Sequence, residues 1–171
     1  MFKIGLAAAA GLQLAASCDL IIGSDKSSYS TPGVKFGVFC TTPGIALSRN
    51  ISQKIAAKML FTGEAINAHD ALTHGLVSEI VSIENPGDVD LLEKRVNEIC
   101  GQIAANSRFI VSLGKKAFYE HLNEPNIEDA YRKIGCKTML ENLKFEDTQS
   151  GLKAFASKQK PVWSNLPDKV N

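Results

Sequence analysis

The spacing of apolar residues divides the chain into a front part of short, closely spaced elements and a back part of long amphipathic helices. Residues 5–19 read GLAAAAGLQLAASCD. The stretch opens on side chains so small that another backbone or a ligand can come close. Its alanines and leucines predict a helix starting between Ala8 and Ala10. Leu20, Ile21 and Ile22 predict a short buried strand, and residues 23–26 a turn. A second strand over 28–31 stops at Pro32-Gly33. Residues 34–40 place Val and Phe at alternating positions, but Gly37 weakens a strand there. Thr41-Thr42-Pro43-Gly44 predicts a helix opening with a threonine cap and a proline near its first position, the short helix itself running over 46–50. Ser52 is the expected cap of a helix over 53–61, whose Ile55, Ala56, Met59 and Leu60 share a face. Asn67 is the expected cap of a further helix over 68–73 that Gly75 ends. Residues 76–83, apolar and β-branched, predict a strand.

Asn85-Pro86-Gly87 reads as a loop. Beyond it the periodicity predicts a helix over 88–105 with Leu92, Val96, Ile99 and Ile103 on one face, and a second from the Asn106-Ser107 break to about His121. A third is expected over 127–142, a fourth over 145–158, and an extended tail through Lys160-Pro161-Val162-Trp163. The expected architecture is α/β, with a partial α/β core over 1–84 and a helical region over 85–171. The small-residue helix follows Met1 so soon that the sequence reads as a fragment, or an alternative product, lacking an earlier part.

Composition narrows the function classes. At 171 residues, 44% hydrophobic and 22% charged, the chain is of ordinary domain size and can bury a sizeable core. A net charge of +1 supplies no global field for nucleic acid, a membrane surface or an acidic partner. No apolar run is long enough for a membrane span. Residues 4–18 resemble a signal-peptide core, but Gly5, Gly11 and Gln13 interrupt them and Lys3 is the sole basic residue ahead, so secretion is not expected. Cys18, Cys40, Cys100 and Cys136 lack C-x-x-C spacing and have no histidine at ligand distance. They read as reduced, mostly buried thiols, with no metal site. His69, His74 and His121 read as structural or exposed histidines rather than members of a nucleophilic triad. Cys18 and Cys40 read as packing residues, and Asp19 as a structural link at a helix end. Lys153, Lys158 and Lys160 form a modest basic cluster whose default is a solvated face.

Three segments, GLAAAAGLQLAASCDLIIG, YSTPGVKFGVFCTTPGIALSR and FTGEAINAHDALTHGLVSEIV, together with the tail SGLKAFASKQKPVW, resemble the crotonase, or enoyl-CoA hydratase/isomerase, family in the right order across the whole chain. The resemblance implies the C-terminal part of a ββα spiral followed by a helical region that trimerises, often as a dimer of trimers. It implies an acyl-CoA thioester as ligand, no other cofactor, and mitochondrial placement. It also implies an oxyanion hole of two backbone N–H groups, each worth about 3–4 kcal/mol of transition-state stabilisation. One of these falls on Ala10, where the family more often has glycine. The other, with much of the adenine and pantetheine pocket, is expected ahead of Met1. In relatives a residue of the last helix approaches the CoA phosphates of a neighbouring site, which nominates Lys158.

The sequence departs from that pattern where hydration needs it most. The first of the hydratase glutamates, three residues after the oxyanion amide, is replaced by Gln13. The second, after the proline of the next loop, is replaced by Gly33. Neither replacement exchanges a proton near neutral pH. The expected function is therefore an acyl-CoA-handling protein of fatty-acid metabolism without hydratase activity, its ligand held weakly by this chain. An enzyme of the same family with another acyl-CoA reaction, and a non-catalytic assembly or regulatory subunit, are the alternatives.

Overall fold

The computed structural model describes residues 2–3, 5–84, 89–166 and 168. The chain forms two compact units, Met1–Glu98 and Ile99–Asn171.

The first unit carries two small sheets. One has the order β1 (Phe2–Lys3), β3 (Ile22–Ser24), β6 (Glu79–Val81), all parallel. The other has the order β2 (Leu6–Ala8), β4 (Ser28–Ser30), β5 (Ile66–Asn67), the first pair parallel and the second antiparallel. Between them in sequence lie the helices α1 (Ala10–Ala16), α2 (Thr41–Ser48), α3 (Gln53–Thr62) and α4 (Ala68–Thr73), with a 3₁₀ turn over Pro32–Phe36. Leu12, Ala15 and Ala16 of α1 recur at helical spacing and are buried, and α1 packs against α2. Asn50 locks the two together, its amide donating to Ala16 O at 2.9 Å and Ala46 O at 2.8 Å. Leu47, Ile51, Ala56, Met59, Ala71, Leu76 and Val77 complete the core around Tyr29.

Several sequence expectations shift. The first buried strand is Ile22–Ser24, not 20–22: Leu20 is exposed, and Gly23 and Ser24 belong to the strand, leaving the turn to Asp25 and Lys26. Both faces of this central parallel strand are covered, so periodicity could not set its register. Residues 34–40 form no strand; the proline starts the 3₁₀ turn instead. The helix after it begins at Thr41 itself, with Cys40 in the cap position and no side-chain cap bond, so the threonine cap is replaced. Ser52 holds the cap position of α3 without a side-chain bond, whereas Asn67 caps α4 as expected, its Oδ1 accepting from Asp70 N–H at 2.8 Å. The strand expected over 76–83 is confined to Glu79–Val81, because Leu76 and Val77 are buried ahead of it in the core. The Asn85-Pro86-Gly87 loop and Asp88 lie outside the described residues.

Helix α5 (Asp90–Ala104) runs across the boundary between the units. Its Arg95 makes a two-pronged pair with Glu79, Nε to Oε1 at 2.5 Å and Nη2 to Oε2 at 2.9 Å, and reaches Glu98 at 3.0 Å. The Arg95 hydrogen bond holds the Glu79 carboxyl below its ordinary range.

The second unit is helical: α6 (Arg108–Leu122), α7 (Ile127–Asp129), a π-helical turn over Ala130–Gly135, α8 (Cys136–Asn142) and α9 (Glu146–Ala156). The continuous helix expected over 127–142 is thus widened at its middle. Ser107 caps α6, its Oγ accepting from Ile110 N–H. Phe145 is buried against Phe109, ring centroids 4.5 Å apart. The cysteines are all free, but only Cys40 is buried. Cys18 is half-covered and Cys100 and Cys136 are exposed, which corrects the expectation of mostly buried thiols.

Leu12→Ala is expected to lower unfolding free energy by about 2–5 kcal/mol. Leu14→Ala, at a side chain of the same helix that is 62% exposed, is expected to stay within about 0.5 kcal/mol. Urea unfolding followed by circular dichroism separates the two. Arg95→Met is expected to destabilise at neutral pH. A carboxyl with a depressed folded-state pKa stabilises above its unfolded value of 4.5 and loses that contribution as pH falls through the folded value. The stability gap between parent and variant therefore closes on acidification, as unfolding curves across pH will read.

Candidate functional site

The site is set by one residue that belongs to a sheet on one side and a helix on the other. β2 runs parallel to β4 with Ala8 opposite Ser30. The next residue, Ala9, continues the ladder by donating its N–H to Ser30 O at 3.1 Å, while its carbonyl accepts the N–H of Gln13 at 3.0 Å as the first helical bond of α1. To turn from strand to helix in a single step, Ala9 adopts φ 46° and ψ −116°, a conformation that L-residues rarely enter. Such strain costs on the order of 1–3 kcal/mol and persists where the surroundings over-determine it. Here a β ladder and a helical bond grip the residue from opposite ends.

Ala10 follows as the first residue of α1. As a first-turn residue, its N–H has no acceptor inside the helix. The residue itself is exposed. Gln13 stands one turn further along and is half-buried. Its backbone carbonyl accepts from Ser17 N–H at 3.0 Å and Ser17 Oγ at 2.8 Å.

The same register brings the second segment alongside. Three residues beyond Ser30, the carbonyl that receives Ala9, lies Gly33, in the 3₁₀ turn opened by Pro32. Gly33 N–H is donated to Cys40 Sγ at 3.3 Å, and Gly33 O accepts Val38 N–H at 3.0 Å. The loop therefore folds back over its own glycine. A Cβ placed at position 33 would press into Val38 O and come within 2.8 Å of Cys40 Sγ. The position where the family pattern expects a glutamate is thus closed to any side chain unless the loop moves. Thr31, just ahead, is fully buried, and its Oγ1 has no hydrogen-bond partner among the described residues.

Residues 5–18 and 28–40, which build the site, contain no Asp, Glu or His. Their buried phenol is Tyr29, whose pKa burial raises against the lowering effect of Ser27, so it stays neutral; its hydroxyl lies 3.1 Å from Ser27 Oγ. The displaced carboxyls of the first unit, Asp25 and Glu79, are engaged by Ile83 N–H and Arg95. Among the described residues no three His, Cys, Asp or Glu side chains form a metal-binding group. His69 is exposed on α4, His74 is the residue closing that helix, and His121 contacts Ala117 O within its own helix. Cys18 Sγ is turned onto Leu14 O at 3.4 Å. Lys158, in the second unit, is exposed just past α9 in a left-handed conformation, φ 52°. Sequence reasoning nominated Ala10, Gln13 and Gly33 as candidates and missed the strained Ala9. Alanine gives no local signal of a positive φ; only the small-residue run was compatible with it.

A family model described as enoyl-CoA hydratase/isomerase matches residues 4–166. The mitochondrial enoyl-CoA hydratase domain-containing protein 3 of Xenopus laevis is 50% identical over 161 residues, covering 94% of this chain and 52% of the relative. The crystal structure of human enoyl coenzyme A hydratase domain-containing protein 3 superposes with a TM-score of 0.85 at 48% identity, covering 93% of this chain and 60% of that one. An enoyl-CoA hydratase structure from Mycobacterium smegmatis gives 0.86 at 38%, covering 93% and 59%. The chain spans about half the length of the curated relatives it matches.

Ala9 and Gly33 make opposite predictions. Ala9→Gly relieves a positive φ and is expected to be neutral or to stabilise by up to about 1 kcal/mol. Gly33→Ala forces the loop off Cys40 and is expected to destabilise by about 1–3 kcal/mol. Thermal and urea unfolding of the two variants beside the parent will check the signs.

Proposed function

The chain belongs to the enoyl-CoA hydratase/isomerase family, and from that premise we propose that it handles a coenzyme A thioester without hydrating it. The thioester carbonyl oxygen sits against the Ala10 N–H, at the positive end of α1, where a fixed backbone dipole favours developing negative charge. Hydration further requires groups that deliver and remove a proton. Gln13 donates and accepts hydrogen bonds but does not ionise. At position 33 the backbone leaves no room for a side chain. That crowding is the observation that carries the reading: the loop is built around the lack of a carboxylate. The ligand is an acyl-CoA of fatty-acid metabolism, and no further cofactor takes part. Lys158 is the residue proposed to meet the CoA phosphates. The names of the relatives favour a mitochondrial location, and the family's trimeric or hexameric assembly is proposed with it.

A second reading, a non-catalytic assembly or regulatory subunit, draws on the helical unit. There Phe118, Leu122, Tyr131, Met139, Leu140 and Phe155 are all exposed, more large apolar surface than an isolated helical domain usually leaves in water.

The test is hydration of crotonyl-CoA by the purified chain beside a two-carboxylate relative, with calorimetric titration of the same thioester. The expected rate is at least about 10⁴-fold below the relative's, from two missing proton-transfer groups, with measurable binding that Lys158→Glu weakens. Turnover near that of the relative would refute the non-hydratase reading. Absence of binding would favour the assembly role.

A further inference from the structure

Beyond α9 the chain returns to its own helical unit as an irregular strap with a distinct set of anchors. Trp163 donates its indole N–H to Ala105 O, just past the end of α5, at 2.8 Å. The ring lies on Gly151 of α9, where an added Cβ would stand 3.1 Å from Cζ3 and Cη2, so glycine is what leaves it room. Ser164 N–H and Oγ donate to Asp147 Oδ1 at 2.7 and 2.8 Å, and Asn165 N–H donates to Oδ2 at 3.2 Å. Asn165 Oδ1 accepts Arg108 N–H at 2.8 Å, satisfying a first-turn donor of α6. Asp168 O accepts Glu146 N–H at 2.9 Å at the start of α9.

Asp147 is the hub of this arrangement. It is 2% exposed, and Oδ2 also accepts Ser107 Oγ at 2.5 Å. Four donors therefore converge on one buried carboxylate, three of them from the strap. Burial opposes the charge, but the hydrogen bonds of Ser107, Ser164 and Asn165 outweigh it and keep the carboxyl below its ordinary range. Apart from the half-buried Trp163, the strap contributes little apolar burial: Val162 and Leu166 are exposed on either side of the anchored residues.

We propose that residues 163–166 dock and release as one unit, with Asp147 as the latch and Gly151 as the seat of Trp163. Three of the strap's bonds end on that one carboxylate, so loss of the latch removes those three together and leaves the segment on the Trp163, Asn165 Oδ1 and Asp168 bonds. The helices beneath also rest on a contact the strap does not make, Phe109 against Phe145. A segment held mainly by polar bonds, with a single half-buried ring, opens at lower free energy than the helices it covers. Opening uncovers Ala105 O and removes the Asn165 cap from α6.

Trp163 is the single tryptophan of the chain, so its fluorescence reports the strap alone. In a urea titration of the full chain, the tryptophan signal is expected to change at lower urea than the far-ultraviolet helix signal. Asp147→Asn places an amide N–H₂ among the donors and is expected to red-shift Trp163 emission. It should also speed hydrogen exchange at the Ser164, Asn165 and Arg108 amides by at least about tenfold, with helix content kept. Gly151→Ala leaves the charge in place, crowds the ring and is expected to give the same red shift. Coincident urea transitions, an unshifted emission in Asp147→Asn, or loss of helix content in both variants would overturn the proposal.

Discussion

A single residue governs the front of this protein. Ala9 gives its N–H to a parallel ladder and its carbonyl to a helix, and both bonds are satisfied only if the backbone turns through a conformation that alanine disfavours. The β2–β4 register cannot slip without breaking the Ser30 bond, and α1 cannot rotate without breaking the Gln13 bond. From that constraint follow the place of the exposed Ala10 as the first residue of α1 and the inward face of Leu12, Ala15 and Ala16. The strain sits directly before Ala10, the residue proposed to meet the thioester oxygen.

The family relationship is carried by that backbone frame, and the proposed loss of hydration by the side chains placed on it. An amide survives replacement of its neighbours, so an electrophile-binding position can persist through large changes of sequence. A general acid does not. At position 13 the change is isosteric and leaves the helix untouched, because glutamine and glutamate fill nearly the same volume. At position 33 the change is steric: the loop has closed onto the glycine through Cys40 Sγ and Val38 O, so the space for a longer side chain is occupied by backbone.

The helical unit is organised on a different principle. Its long helices leave many large apolar side chains in solvent, while its best-satisfied buried group is a carboxylate. Asp147 has both oxygens filled by donors from Ser107, Ser164 and Asn165. A buried charge is tolerated on those terms, and removing its donors would leave an ion in an apolar setting.

The helices were legible in the sequence because 3.6-residue periodicity and local caps act within a few residues: Asn67 over α4 and Ser107 over α6 stand where pattern and chemistry put them. The candidate residues Ala10, Gln13 and Gly33 were nominated by the family resemblance of two short segments, not by spacing alone. What depended on tertiary structure involved partners far away in sequence or buried on both faces. The strand at Ile22–Ser24 was displaced because a covered parallel strand shows no alternation. The positive φ of Ala9 arises from a bond to Ser30, and the closure of the Gly33 loop from Cys40. The role of Asp147 depends on a strap that begins sixteen positions later, at Trp163. The chain by itself determined where helices run and which side chains are present to act. Only folding decided which backbone groups were strained, enclosed or left open, because those states are set by hydrogen bonds whose two ends no local pattern connects.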